Sequence, residues 1–387
     1  MKKEDISGFI VYLLILGAAT IFCLTILREN SAAVGQPLTF WQYWLFVVGS
    51  TAGGIILNAI LCELAHVAGA KAGRYEVIST NILGLCFYRN DEGKRKVKFA
   101  KFDGLTGETK ILPKFTEGDK ISNPKPYLLF GTLFYAVEII LFVILFVILR
   151  GQEDFAWINL GHALLTMGVV GAMILVYNII PFQLDNKTDG NYLKLISNPK
   201  NKVAFNELLR IEHEVELGHT DVEIKTFDVI TNFTAELNLN KVYSLLEKRD
   251  YESALTLLDG ILKEDADVSY KIHLRALAQK IFIKLMTLNE DEAKKYYEEN
   301  IDLHLMREIS KDISMPSIRM YILVSGLLDK SKSETIYALN NVGQAYKRTQ
   351  KSRRAVEVSL YNEALDKVIK AHPTWQELND YHIEETK

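Results

Sequence analysis

LNAILCELAHVAG, residues Leu57–Gly69, places a glutamate and a histidine inside an otherwise apolar run. Ionisable groups in a membrane span are costly and usually functional. On a helix Cys62 and His66, four positions apart, share a face and can grip one metal ion, while Glu63 projects to the side as a candidate base for water. The plainer reading is a helix end at the interface, where Glu63 and His66 merely reach water.

Four apolar stretches surround or contain this motif, each close to the roughly 20 residues that cross a bilayer. They are Gly8–Leu27, about Trp44–Val67, Tyr127–Leu149 and about Leu160–Pro181. Residues 69–125, between the second and third, hold twelve Lys and Arg, whereas the flanking linkers carry only Arg28 and Arg150. The positive-inside rule puts that basic segment, the N-terminus and everything after the fourth stretch in the cytoplasm. No cleavable signal follows the first stretch. The 387 residues carry a net charge of −3, which gives no reason to expect nucleic acid. Cys23, Cys62 and Cys86 all lie in or beside apolar sequence, so a disulfide framework is not expected.

Within the basic segment, Val77–Arg89 and Lys96–Phe102 are rich in β-branched and aromatic residues and flank the turn sequence NDEGK, Asn90–Lys94. They predict a β-hairpin, followed by a glycine-rich loop, DGLTGETKILP, over residues 103–113. That hairpin is either a surface loop at the headgroups or a membrane-edge sheet able to pair with an extended peptide.

A second constellation closes the fourth stretch: NIIPFQLDNKTDG, Asn178–Gly190. Pro181 ends the helix, and Asp189-Gly190 offers a carboxylate on a tight turn, with Asp185 as a rival. CELAH on one span and NIIP followed by DG two spans later, with a basic β-bearing loop between, resemble the site-2 protease family of intramembrane zinc metallopeptidases. The likeness covers about residues 41–195 and is closest to bacterial members, which implies an integral protein of a bacterial plasma membrane. It further implies zinc held by Cys62, His66 and Asp189, and Glu63 as the base activating a metal-bound water. Asn178 and Pro181 would contact substrate, a membrane-embedded or membrane-adjacent peptide. The family has histidine where this chain has Cys62. A thiolate remains a competent zinc ligand, with a longer bond of roughly 2.3 Å against 2.0–2.1 Å for histidine. It also lowers the net charge of the site, which weakens activation of water. A catalytically impaired pseudoprotease that binds membrane peptides or a partner therefore stands beside the peptidase reading, as does a membrane-anchored helical scaffold.

Glu138 sits mid-span in the third stretch, either beside the metal ligands or bonded to a neighbouring helix. His162 reads as interfacial, and IEHEVELGH, Ile211–His219, as a solvated helix. Beyond Asn191 the sequence is amphipathic and helical. LLEKRDYESALTLLDGILK, Leu245–Lys263, has the pattern of a tetratricopeptide helix pair broken at RDY, with a weaker echo over Ala338–Tyr361. Pro316 and Pro373 mark helix starts or breaks. The expected fold is thus mainly α, in three parts. Residues 1–40 form an N-terminal span and linker; 41–195 form a membrane core, about four spans in all, with a small β-hairpin insertion. Residues 196–387 form a cytoplasmic all-α helical-hairpin domain, either a docking face for a protein partner or a stabilising bundle.

Overall fold

A computed structural model describes residues 39–89, 93–101, 107–115, 121–180, 188–217, 219, 222–301, 303–349 and 353–384, with a few isolated positions between 13 and 25. The first apolar stretch, the NDEGK turn (apart from Gly93 and Lys94), Pro181 and Asp185 lie outside the described residues. Among the described residues, three helices are long and apolar enough to cross a membrane, as expected of a membrane protein. They are α1 (Phe40–Ala72), α2 (Pro124–Arg150) and α3 (Phe155–Ile179). At 1.5 Å per residue they are about 50, 40 and 37 Å long, each longer than the hydrocarbon core.

Local chemistry sets their ends. Thr39 and Gln42 form a capping box at the start of α1, and Gly73 closes it before Arg74 takes a positive φ of 65°. Asn123 caps α2, where Pro124 occupies a first-turn position that needs no N–H donor. Asp154 caps α3. Glycines let the three helices approach closely: a methyl on Gly54 would lie 3.1 Å from Met167 Cα, and one on Gly168 3.3 Å from Phe142 Cβ. Such small-residue contacts are how helices associate in lipid, where apolar side chains gain little by leaving the solvent.

The basic segment forms more than a hairpin. β1 (Tyr75–Ile82), β2 (Leu85–Arg89), β3 (Arg95–Phe99) and β4 (Gly107–Pro113) make an antiparallel sheet in the order β3-β2-β1-β4. The run expected as one strand, Val77–Arg89, folds back on itself at Leu83-Gly84, both with positive φ (49° and 94°). This two-residue turn joins paired strands in which Ile82 faces Leu85. The expected glycine-rich loop supplies β4 from Gly107 onward, in register with β1 from Tyr75↔Pro113 to Ile82↔Gly107.

After α3 come α4 (Asp189–Ser197) and α5 (Asn201–Glu216). The chain divides into two compact units, residues 1–218 and 219–387. Helix α5 therefore belongs with the spans and sheet, although its sequence resembles the helical half. The Tyr75 hydroxyl donates to Asn206 Oδ1, and Asn206 Nδ2 donates to the Ser122 carbonyl at 3.0 Å, which pins α5 beneath the sheet.

The second unit is all helical among its described residues. Its pairs include α6 (Asn232–Glu247) and α7 (Tyr251–Ile261), joined at Lys248–Asp250, where Arg249 has φ 57° and Asp250 caps α7. Further helices are α8 (Tyr270–Thr287), α9 (Glu290–Asn300), α10 (Leu303–Lys311), α11 (Met315–Leu323), α12 (Lys332–Leu339), α13 (Val342–Arg348) and α14 (Arg354–Ala371). Pro316 falls in the first turn of α11, and Pro373 lies just past α14. The core is continuous, with Ala254, Leu258, Ile281, Phe282 and Leu365 fully buried. At its centre Arg319 bonds Glu357 and Gln279 and lies 4.4 Å from the Phe282 ring.

Candidate metal centre

Helical spacing on α1 brings Cys62 and His66 to one face and Glu63 beside them, all three buried. One ligand atom from each lies within 4.8 Å of the others, so the group could hold a metal ion. Asp189, from the first turn of α4, adds a carboxylate: its Oδ2 is 3.5 Å from His66 Nε2. Burial holds the Asp189 carboxyl above the usual carboxylate range, an effect the neighbouring His66 only partly offsets.

The local folding of Asp189 explains the Asp-Gly pair. Thr188 caps α4 and donates to the Ile180 carbonyl at 2.6 Å, folding the helix start onto the end of α3. Gly190 then packs on the Ile179 carbonyl, where a methyl would collide with backbone. Asn178 lies at this junction, its carbonyl 3.0 Å from a Cβ built on Gly190, so its backbone is near the site.

Hydrogen bonds fix the roles of the other two side chains. His66 Nδ1 donates to the Tyr127 carbonyl at 3.1 Å. That places a proton on Nδ1 and turns Nε2 toward Asp189 and the cluster, the ring orientation a metal-binding histidine uses. The Thr109 hydroxyl, from β4, donates to Glu63 Oε2 at 2.6 Å, and the Tyr127 hydroxyl donates to the Thr109 carbonyl at 2.8 Å. Sheet, α1 and α2 thus meet at one point. Two glycines leave space there. A methyl on Gly131 would come 3.2 Å from His66 Nε2 and 3.7 Å from Cys62 Sγ, and one on Gly107 2.9 Å from Glu63 Oε1.

Thr109, Tyr127, Gly107 and Gly131 were not legible as site residues. Their part depends on packing between distant segments, and only Gly131, a break in an apolar run, left any trace in the sequence. Glu138 is not brought into the cluster. It lies on the same buried face of α2 as Gly131 and Tyr135, but two helical turns (about 10 Å) beyond Gly131. Neither of its carboxyl oxygens has a hydrogen-bond partner among the described residues. His162, expected at the interface, is buried instead, 5.2 Å from the Phe146 ring, because Gly161 lets α3 close on α2.

On the His66 ring, Nδ1 is bonded to a backbone carbonyl, and Asp189 approaches Nε2. Thiol, imidazole Nε2 and carboxylate gather on one side of the ring, a donor set that suits a cation. Comparison with protein-family models, with curated proteins and with solved structures finds no match.

Proposed function

We propose that this chain is an intramembrane zinc metallopeptidase of the site-2 protease kind, with Cys62, His66 and Asp189 holding the metal and Glu63 as the base. The observation that carries the reading is the tied-off Nδ1 of His66, which turns Nε2 toward the Asp189 carboxylate on the side where Cys62 lies. Zinc, when bound, supplies a Lewis acid and activates water at neutral pH. Glu63 is placed to take a proton from water and pass it to the leaving amine, and Thr109 holds the carboxylate in that orientation. The substrate on this reading is a membrane-embedded or membrane-adjacent peptide. Burial of the site favours this, because it keeps bulk water from an unwound substrate segment. The twelve basic residues of 69–125 support a cytoplasmic position for the sheet, the site end of α1 and both termini.

The covering of Glu63 favours a second reading, a pseudoprotease that binds peptides without cutting. Thr109 takes one carboxylate oxygen and Gly107 packs so close to the other that a side chain there would meet it, so β4 must yield before a substrate reaches the base. In either case the helical unit 219–387, with its tetratricopeptide-like pair α6–α7, is suited to docking a partner protein.

The test uses purified, zinc-loaded protein in nanodiscs with a panel of single-span peptides, read by mass spectrometry. A peptidase yields fragments that Glu63→Gln abolishes and Cys62→His increases. Intact peptides from every form, with peptide still retained by the nanodiscs, leave the binding reading.

A further inference from the structure

The sheet shows a polarity gradient that the metal site does not explain. The hydrogen bond from Thr109 to Glu63 fixes one end of β4 against α1 nine residues, or about 14 Å, before that helix ends. In register, that end of the sheet carries Gly107, Ile82, the Leu83-Gly84 turn, Leu85 and Phe99. The opposite end holds Tyr75 and Pro113, three residues past the helix terminus, and for the outer strands Arg89 paired with Arg95. Depth along α1 thus maps onto position along β2 and β3.

The side chains follow that map. Leu85↔Phe99 and Phe87↔Val97 are cross-strand neighbours on one face, since side chains two apart share a face. All are solvent-facing: Phe99 is 87% exposed, Val97 58%, and Leu83, Leu85 and Phe87 at least 40%. An exposed apolar face on an edge hairpin is an aggregation hazard unless something covers it. Toward the other end Arg89 and Arg95, on that same face, and Lys96, on the opposite face, are exposed and have no ion-pair partner among the described residues; Lys98, on the opposite face and next to Phe99, lies over the Tyr88 ring. Apolar groups at the deep end and unpaired cations at the shallow end match the two layers of a bilayer surface, acyl chains and anionic headgroups.

We propose that the β2–β3 hairpin is a lipid-binding element, with Phe99, Leu85 and Leu83 in the acyl region and Arg89, Arg95 and Lys96 engaging anionic headgroups. The occupant is the bilayer in which α1–α3 already sit. A protein partner fits less well, because α1 holds this face at membrane depth. Anionic lipid would then set how firmly the sheet, and with it Thr109, is seated beside Glu63. The proposal needs the spans and sheet register only, and stands or falls apart from metal binding.

The test places a tryptophan at Phe99→Trp in the full-length protein, in nanodiscs of brominated phosphatidylcholine alone or mixed with brominated phosphatidylglycerol. The added emission, over that of the parent chain, should be quenched by bromolipid and shielded from aqueous acrylamide. Quenching should be stronger with brominated phosphatidylglycerol, and each of Arg89→Gln, Arg95→Gln and Lys96→Gln should lower that preference about fivefold. Emission quenched by acrylamide and untouched by bromolipid would overturn the insertion. Equal quenching by both lipids, unchanged in the three variants, would overturn the headgroup assignment.

Discussion

Cys62 keeps the donor set of a metal site while changing its charge. Thiolate, imidazole and carboxylate together neutralise a divalent ion, where two histidines and a carboxylate leave it positive, so the work of activating water shifts onto Glu63. Thr109 then matters more than a surface hydroxyl would. Its 2.6 Å bond is the hydrogen bond seen on Glu63 Oε2, a buried carboxylate. Thr109→Val should lower the stability of the purified protein by about 1–3 kcal/mol, and Thr109→Ser should restore most of it, as read by thermal unfolding in detergent. Equal stability in Val and wild type would mean that the hydroxyl does not hold Glu63. That Cys62, Glu63 and His66 lie together was readable from the sequence because helical spacing is a local signal; Asp189 was singled out by the resemblance, and the tight turn expected at Asp189-Gly190 is instead the first turn of α4. Thr109 was not readable: nothing in GETKILP marks a threonine that contacts a residue 46 positions earlier.

The sheet shows where local signals ran out among the elements. The apolar run Val77–Arg89 carries strand propensity from end to end, and only Gly84 betrays the turn that divides it. Strand β4 has no alternating pattern of its own, and exists because β1 offers it a partner along its whole length. The three described spans were legible because apolar runs of that length have few other uses. Helix α5 was assigned by its polarity to the second half, yet it is held to the sheet by the Tyr75–Asn206–Ser122 chain of bonds. Tyr75→Phe strands Asn206 Oδ1 in a buried position, and should cost about 1–3 kcal/mol. It should also raise hydrogen exchange in α5 relative to α6–α14. Exchange that stays at the wild-type level in α5 would show that other contacts hold the helix.

The molecule divides into a membrane unit that carries the donor cluster and a helical unit with a core of its own. Residues 219–387 should therefore fold alone, as a soluble helical protein with a cooperative urea transition. In that isolated unit Arg319→Met leaves Glu357 buried without its partner and should cost about 3–5 kcal/mol, whereas Arg319→Met with Glu357→Leu should recover most of the loss. A double variant as unstable as the single one would mean that the pair's shape, rather than its charge, holds the core. The membrane unit turns on whether its convergent donors bind an ion. The measurement to make first is the metal content of the full-length, detergent-purified protein, grown with zinc, beside Cys62→Ser and Asp189→Asn. About one zinc per chain in the wild type, lost or strongly reduced in both variants, is the expected result. A wild type without metal, or one whose zinc survives both substitutions, would mean that Cys62, His66 and Asp189 are not a metal centre.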